Sequence, residues 1–160
     1  DVLVAEPTSS VGANVGRLRV FARQEGRFEL YGQGCPGTRG TPLLAGTEPR
    51  VGKQFELTVT KVPVLQVGVV LLGSSRTQWG SVALPAPLGA IGLPGCSLLT
   101  SAEASPGVST GLGRIAWRAT VPTSRALVGR AFFTQAFVVD PAANALGVSS
   151  TAGGFGTIGD

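Results

Sequence analysis

The side chains in this sequence that could do chemistry are few and scattered. Its nine carboxylates are Asp1, Glu6, Glu25, Glu29, Glu48, Glu56, Glu103, Asp140 and Asp160. None stands in the close alternation that a calcium loop requires. Glycoside hydrolysis needs two opposed carboxylates in a cleft. Glu29 and Glu56 are the nearest candidates, but strand alternation puts both on the solvent side of their segments. Histidine is absent, which excludes Ser-His-Asp and Cys-His nucleophiles and every His-bearing metal site. The glycine-rich segments lack the Lys-Ser/Thr ending and the following helix of a phosphate loop. The expectation is a protein that is not an enzyme and has no catalytic, metal-binding or cofactor-binding residues.

The two cysteines, Cys35 and Cys96, sit in nearly mirrored corners, Gly34-Cys35-Pro36-Gly37 and Pro94-Gly95-Cys96. Two thiols alone do not make a structural zinc site, and their spacing is far from Cys-x-x-Cys. In an exported protein the economical reading is one disulfide. The alternative is two free buried thiols.

Binding chemistry has two candidates. Trp79, within Arg76-Thr-Gln-Trp79-Gly80, lies in a loop-like stretch and offers a face for stacking on a sugar ring, with turn or core packing as the alternative. Arg17, Arg19, Arg23 and Arg27 form a basic cluster with the look of a polyanion stripe. With one Tyr and two Trp in the chain there is little to stack on bases. A solvated edge protected by its charges is the better reading, and no nucleic-acid partner is expected.

The elements that must position these residues read as strands. The chain has 160 residues, enough for one domain, and only 14% are charged against a usual share of about 25%. Gly 24 and Pro 11 are spread throughout, which suits many short strands joined by tight turns. Period-two alternation runs through Arg17–Arg23 and Arg27–Tyr31, with Glu25-Gly26 as the turn of a hairpin between them. It runs without a flaw through Gln54–Thr60 and Arg114–Val121. The runs Val64–Leu72 and Ala131–Val139 are apolar on both faces and belong in the middle of a sandwich or under an added layer. The one helical candidate is Pro122–Gly129, with Ser124 as its cap. The tail from Ala145 to Ile158 reads as a last strand bent at Gly153-Gly154. Val62–Gly73 is too short for a membrane span, which needs roughly 20 residues, and is expected to be a core strand.

These patterns predict an all-β fold: a single antiparallel β-sandwich, jelly-roll or Ig-like, of about eight to ten strands with one disulfide. Residues 1–30 read as an N-terminal strand, tether and hairpin, and residues 31–160 as the sandwich domain. Phe55, Leu57, Val59, Val67, Val69, Ile115, Trp117 and Phe133 are its expected core.

A resemblance begins at Tyr31. The run Tyr31-Gly-Gln-Gly-Cys35-Pro-Gly-Thr, then Phe55-Glu-Leu-Thr-Val and Leu71-Leu-Gly-Ser-Ser, is similar to a family of exported bacterial β domains. So are Gly92-Leu-Pro-Gly-Cys96-Ser-Leu-Leu, Phe132-Phe-Thr-Gln-Ala-Phe-Val-Val-Asp-Pro-Ala-Ala-Asn144-Ala-Leu-Gly and the closing Gly156-Thr-Ile158-Gly. The family occurs mostly as a C-terminal module of secreted or cell-surface proteins. The resemblance implies export, a disulfide and a β fold, and it implies no activity. Residues 1–30 depart from it.

The chain begins at Asp1 rather than Met. The expectation is a secreted or cell-surface protein whose signal peptide has been removed; a chain trimmed by design is the alternative. Eleven arginines against two lysines, no Met, and only Asn14 and Asn144 among asparagines fit a durable extracellular protein. Genomic base composition is the alternative source of that bias. Three functions fit: a self-assembling subunit of a fibre or surface layer, a carbohydrate-binding or adhesive module, or an accessory domain anchoring a larger exported protein. For the first, the assembly candidates are Val2, Leu3, Val4 and Ala5, a short strand on the tether Pro7–Gly16 that completes a neighbour's sheet, or pairs within its own domain. The expected partner is a second copy, in an oligomer or polymer, with polysaccharide as the candidate ligand.

Overall fold

Phe55, Leu57 and Val59 alternate with Glu56 and Thr58, and that period of two sets which way the centre of the molecule lies. The computed structural model describes residues 2–4, 19–21 and 23–160. Its strands are β1 (Val2–Val4), β2 (Arg19–Phe21), β3 (Arg27–Tyr31), β4 (Leu43–Gly46) and β5 (Gln54–Thr60). They continue as β6 (Val67–Gly73), β7 (Gln78–Trp79), β8 (Val82–Ala83), β9 (Ala86–Pro87) and β10 (Ser97–Leu98). The last five are β11 (Gly107–Ser109), β12 (Ile115–Thr120), β13 (Ala131–Val139), β14 (Val148–Ser150) and β15 (Gly153–Thr157).

The fold is all-β and antiparallel. A three-stranded sheet, β12-β5-β4, and a six-stranded sheet, β11-β6-β13-β15-β3 with β14 also on β13, carry the body. Leu44, Phe55, Leu57, Val59 and Ile115 of the smaller sheet share one core with Val70, Ala136 and Val138 of the larger. The register explains the partition: Ile115 stands opposite Val59, Trp117 opposite Leu57 and Ala119 opposite Phe55. A line of rings, Phe28 to Phe55 at 5.7 Å and Phe55 to Phe132 at 5.2 Å, continues the core toward β3. On the solvent face of the small sheet Arg118 Nε donates to Glu56 Oε2 at 2.8 Å. That hydrogen bond is the main reason the Glu56 carboxyl titrates below its ordinary range.

β13 is sided like β5. Phe132, Ala136 and Val138 pack into the core, so Phe133, Gln135, Phe137 and Val139 point outward. That outer face is partly roofed by residues 74–106, the long connection from β6 to β11 that contains β7–β10. The added layer accounts for a strand apolar on both faces. Cys35 and Cys96 are disulfide-bonded, and together with Leu93 they form a second small buried cluster. The bond closes a loop of 61 residues and fastens the roof to the chain beyond β3. In the chain-entropy picture such a closure contributes about 4 kcal/mol.

The structure departs from the expectations at several points. Arg27–Tyr31 does not return on Arg19–Phe21: β3 pairs with β15, and β2 pairs with β1. The segment between them is pinned instead of turning. Asp160 N donates to Gln24 O, Gly159 N donates to Pro49 O, and a Cβ on Gly26 would collide with the Pro49 carbonyl. Strand β3, which overlaps the residues assigned to the N-terminal piece, is thus one of the two edges of the larger sheet, β11 being the other. Gly153-Gly154 is not a bend but the start of β15. These two residues are glycines because the Tyr31 and Phe28 rings lie where their side chains would be.

Val62–Gly73 is not one strand either. Lys61 and Leu65 have positive φ, 59° and 55°, and Pro63 has no N–H to give a ladder. β6 therefore starts only at Val67, Leu65 is 81% exposed, and Val67, expected in the core, is 62% exposed. Val70 and Leu71 are buried in its stead. Val69 and Trp117 are half-buried, while Phe55, Leu57, Val59, Ile115 and Phe133 are buried as expected. Pro122–Gly129 holds only a 3-10 turn, Arg125–Leu127, and Ser124 makes no side-chain cap. Ala5, the tether 7–16 and Arg17 lie outside the described residues.

Replacing Leu57 or Ile115, both fully buried, with Ala should cost about 2–5 kcal/mol in urea unfolding. Glu56→Gln, which weakens the surface ion pairs with Arg118 and Arg114, should move the urea midpoint far less. Equal costs on the two faces would contradict this sidedness.

Candidate functional site

The outer face of β13 carries three successive features. At its start Phe133 stands opposite Phe155 of β15, and Tyr31 of β3 lies on the same face two residues beyond the partner of Phe155. Phe133 and Phe155 stack at 5.4 Å, and Tyr31 meets Phe133 edge-on at 6.1 Å. Over them sits the Arg76 guanidinium, 5.6 Å from the Tyr31 ring centre, 5.8 Å from Phe155 and 5.9 Å from Phe133. All three distances are within cation–π reach. Tyr31 Oη donates to Leu99 O at 2.8 Å. Burial pushes its phenol up to about 12, against the opposing pull of Thr100 and Arg76. Arg76 therefore faces three neutral rings across the physiological range.

The loop that presents Arg76 is nailed down on the side before it. Glu103 accepts from Ser74 N at 2.8 Å, Ser74 Oγ at 3.2 Å and Ser101 Oγ at 2.9 Å. Ser101 Oγ accepts from Ser74 N and Ser75 N, and Ser75 Oγ accepts from Thr77 N and Gln78 N. Partial burial works to raise the Glu103 pKa, and these hydrogen bonds more than offset it, so its carboxyl titrates below the ordinary range.

Gln135 is the second feature. Its amide is fully buried, accepts from Leu99 N at 2.9 Å, and donates to Ser97 O at 3.0 Å and Thr151 O at 3.2 Å. It ties the roof to both the strand below and the last turn of chain. The third feature is an open apolar groove of about 220 Å³, lined by Val67, Gly68, Val69, Phe137, Val138, Val139 and Val148. The roof does not extend over it.

The singled-out residues fall in different places. Trp79 is in the β7–β8 hairpin, opposite Val82, and 44% exposed. It presents a face to solvent three residues after Arg76. Glu29 and Glu56 are not brought together: Glu29 lies on the outer face of the large sheet and Glu56 on that of the small one, with the core between. The basic cluster is partly neutralised, since Arg23 pairs with Asp160 at 3.7 Å and Arg27 with Glu29 at 3.1 Å. Arg19 stands opposite Val4 in the β1–β2 ribbon, so Val2, Leu3 and Val4 are paired along one edge within their own chain. Among the described residues no group of three or more His, Cys, Asp or Glu is placed to hold a metal. No helix there is long and apolar enough to cross a membrane.

Sequence reasoning passed over Arg76 and Gln135. For Gln135 the signal was present, a polar amide inside the apolar run Ala131–Val139. For Arg76 there was none, because its three rings come from strands distant in the chain. Asp140 was also missed: it is buried and accepts from Thr38 N at 2.7 Å and Thr38 Oγ1 at 3.1 Å, joining the Cys35 corner to the turn after β13. Comparisons with protein-family models, with curated proteins and with solved structures find no match to this chain.

The lowered pKa of Glu103 makes the Arg76 loop acid-sensitive. A carboxyl held below its unfolded value of 4.5 contributes stability that is complete above that value and lost as pH falls through the folded one. The Ser74 amide resonance should therefore titrate with a midpoint below 4.5, and Glu103→Gln should abolish the transition. A Ser74 amide that ignores pH down to acid unfolding would contradict this anchoring.

Proposed function

We propose that this chain is a non-enzymatic structural domain, exported from the cell, that assembles with copies of itself through the uncovered groove of its larger sheet. The observation that carries the reading is the groove itself. Val67, Val69, Phe137, Val139 and Val148 offer apolar surface on the outer face of a sheet. Burying it stabilises by about 25 cal/mol per Å². The occupant proposed is the β1–β2 ribbon of a second copy. A two-stranded ribbon is marginal in water by itself, and β1–β2 forms a sheet separate from the two that carry the body. Beside the groove, β11 is the edge of the large sheet, with backbone groups suited to strand addition.

Export is supported by the disulfide, which persists in oxidising compartments. The order and spacing of the segments around Cys35, Cys96 and β13 support membership of the exported bacterial family they resemble. A groove-to-ribbon contact uses two different surfaces, so it propagates into a filament unless the rotation closes a ring.

Light scattering over a concentration series tests this. The full chain should form species several times its 16.2 kDa mass. A chain lacking residues 1–22 should remain folded, disulfide-bonded and monomeric. Phe137→Asp should also give a monomer, because it places an unpaired charge in the joint. A full chain that is monomeric at every concentration overturns the reading. If Phe137→Asp dissociates the assembly and the deletion does not, the groove is the joint but the ribbon is not its occupant.

A further inference from the structure

Among the described arginines Arg76 is the one held over aromatic rings. Arg23, Arg27, Arg50, Arg114 and Arg118 pair with carboxylates, and Arg39, Arg125 and Arg130 have neither a carboxylate nor a ring among the described residues. Arg76 has no hydrogen-bond acceptor and no carboxylate among the described residues, and its side is open to solvent. Instead, its guanidinium lies over Tyr31, Phe133 and Phe155. The loop under it is fixed by Glu103 and Ser101. The result is an immobilised cation with its N–H donors unused.

Ordering a long side chain normally opposes binding, and here the rings and the loop have already ordered it. The planar fork matches a carboxylate with two parallel hydrogen bonds, which a lysine ammonium does not. The rings also exclude water from one side of the charge, which strengthens its interaction with an anion on the other. The same loop carries Trp79 three residues later, its ring 44% exposed. Gln78, between them, is fastened through its own amide to Gly80 O at 2.8 Å and through its backbone to Ser75 Oγ. A fixed carboxylate receptor and an exposed aromatic face thus share one rigid loop.

We propose that this loop binds carboxylated carbohydrate, a uronate-bearing glycan, with a sugar carboxylate on Arg76 and a sugar ring on Trp79. The site lies at the opposite end of β13 from the apolar groove, so it is independent of the assembly joint.

Titration calorimetry with short oligogalacturonates and oligoglucuronates tests the assignment. The groove variant Phe137→Asp serves alongside the full chain, so that failure of assembly does not bear on the result. At least one of the acidic oligomers should bind, with affinity falling as salt rises, and its methyl-esterified form should bind at least tenfold more weakly. Arg76→Ala should lose at least tenfold, and Arg76→Lys, which keeps the charge without the fork, should also weaken binding. Trp79→Ala should weaken sugar binding, and short polyglutamate should bind worse than the glycan. Unchanged melting temperatures in these variants separate loss of the site from loss of the fold. No binding of either acidic oligomer, equal binding of acid and ester, or indifference to Arg76→Ala overturns the proposal. Polyglutamate binding through Arg76 that equals the glycan's and ignores Trp79 also overturns it, in favour of an acidic peptide.

Discussion

A buried amide with nowhere else to go holds this architecture in register. Gln135 sits in a strand that is otherwise apolar, and its carboxamide spends its capacity on Leu99 N, Ser97 O and Thr151 O. Leaving such groups unpaired away from water costs about 1–3 kcal/mol each. The roof can therefore lie on the sheet in one register, because a shift by one residue would break the bonds to Leu99 N and Ser97 O together. Hydrophobic contact alone would tolerate sliding; the amide does not.

Everything distinctive on the outer face follows from where that roof stops. Toward the start of β13 it brings the Ser74–Thr77 loop over Tyr31, Phe133 and Phe155, and so places a cation on three rings. Toward the end of β13 it leaves Phe137 and Val139 open. The disulfide reinforces the same junction from the side, since Cys96 leads directly into β10 and from there to Leu99. The amide and the covalent bond thus fix the position of a layer whose own buried apolar side chains are Leu84, Leu93 and Leu99.

What could be read from the chain was what is local. Phe55, Leu57 and Val59 declare their sidedness within seven residues, as does Ile115 with its neighbours, and the structure places them accordingly. The disulfide was legible although its ends lie 61 residues apart, because the chain has only two cysteines to pair. What depends on distant partners could not be read. Arg27–Tyr31 looks like half of a hairpin, because nothing nearby says that Gly159 and Pro49 will pin the would-be turn. Val67 looks like core, because its apolar character says nothing about where the roof ends. The Arg76 site needs strands β3, β13 and β15 aligned before it exists, and no motif spans them.

The pairing of β3 with β15 has a mechanical consequence. Arg27 stands directly opposite Thr157, so the two ends of the sandwich body leave from one corner. Tension applied between them peels β3 from β15 one pair at a time, the geometry that yields at low force. The peeling reaches Cys35 soon after Tyr31, and there the backbone is bridged to Cys96. The 61 residues that follow are shielded from the load, and about 200 Å of contour is withheld from extension, at some 3.4 Å per residue. The domain gives early under stretch, while the disulfide keeps β4–β9 out of the load path.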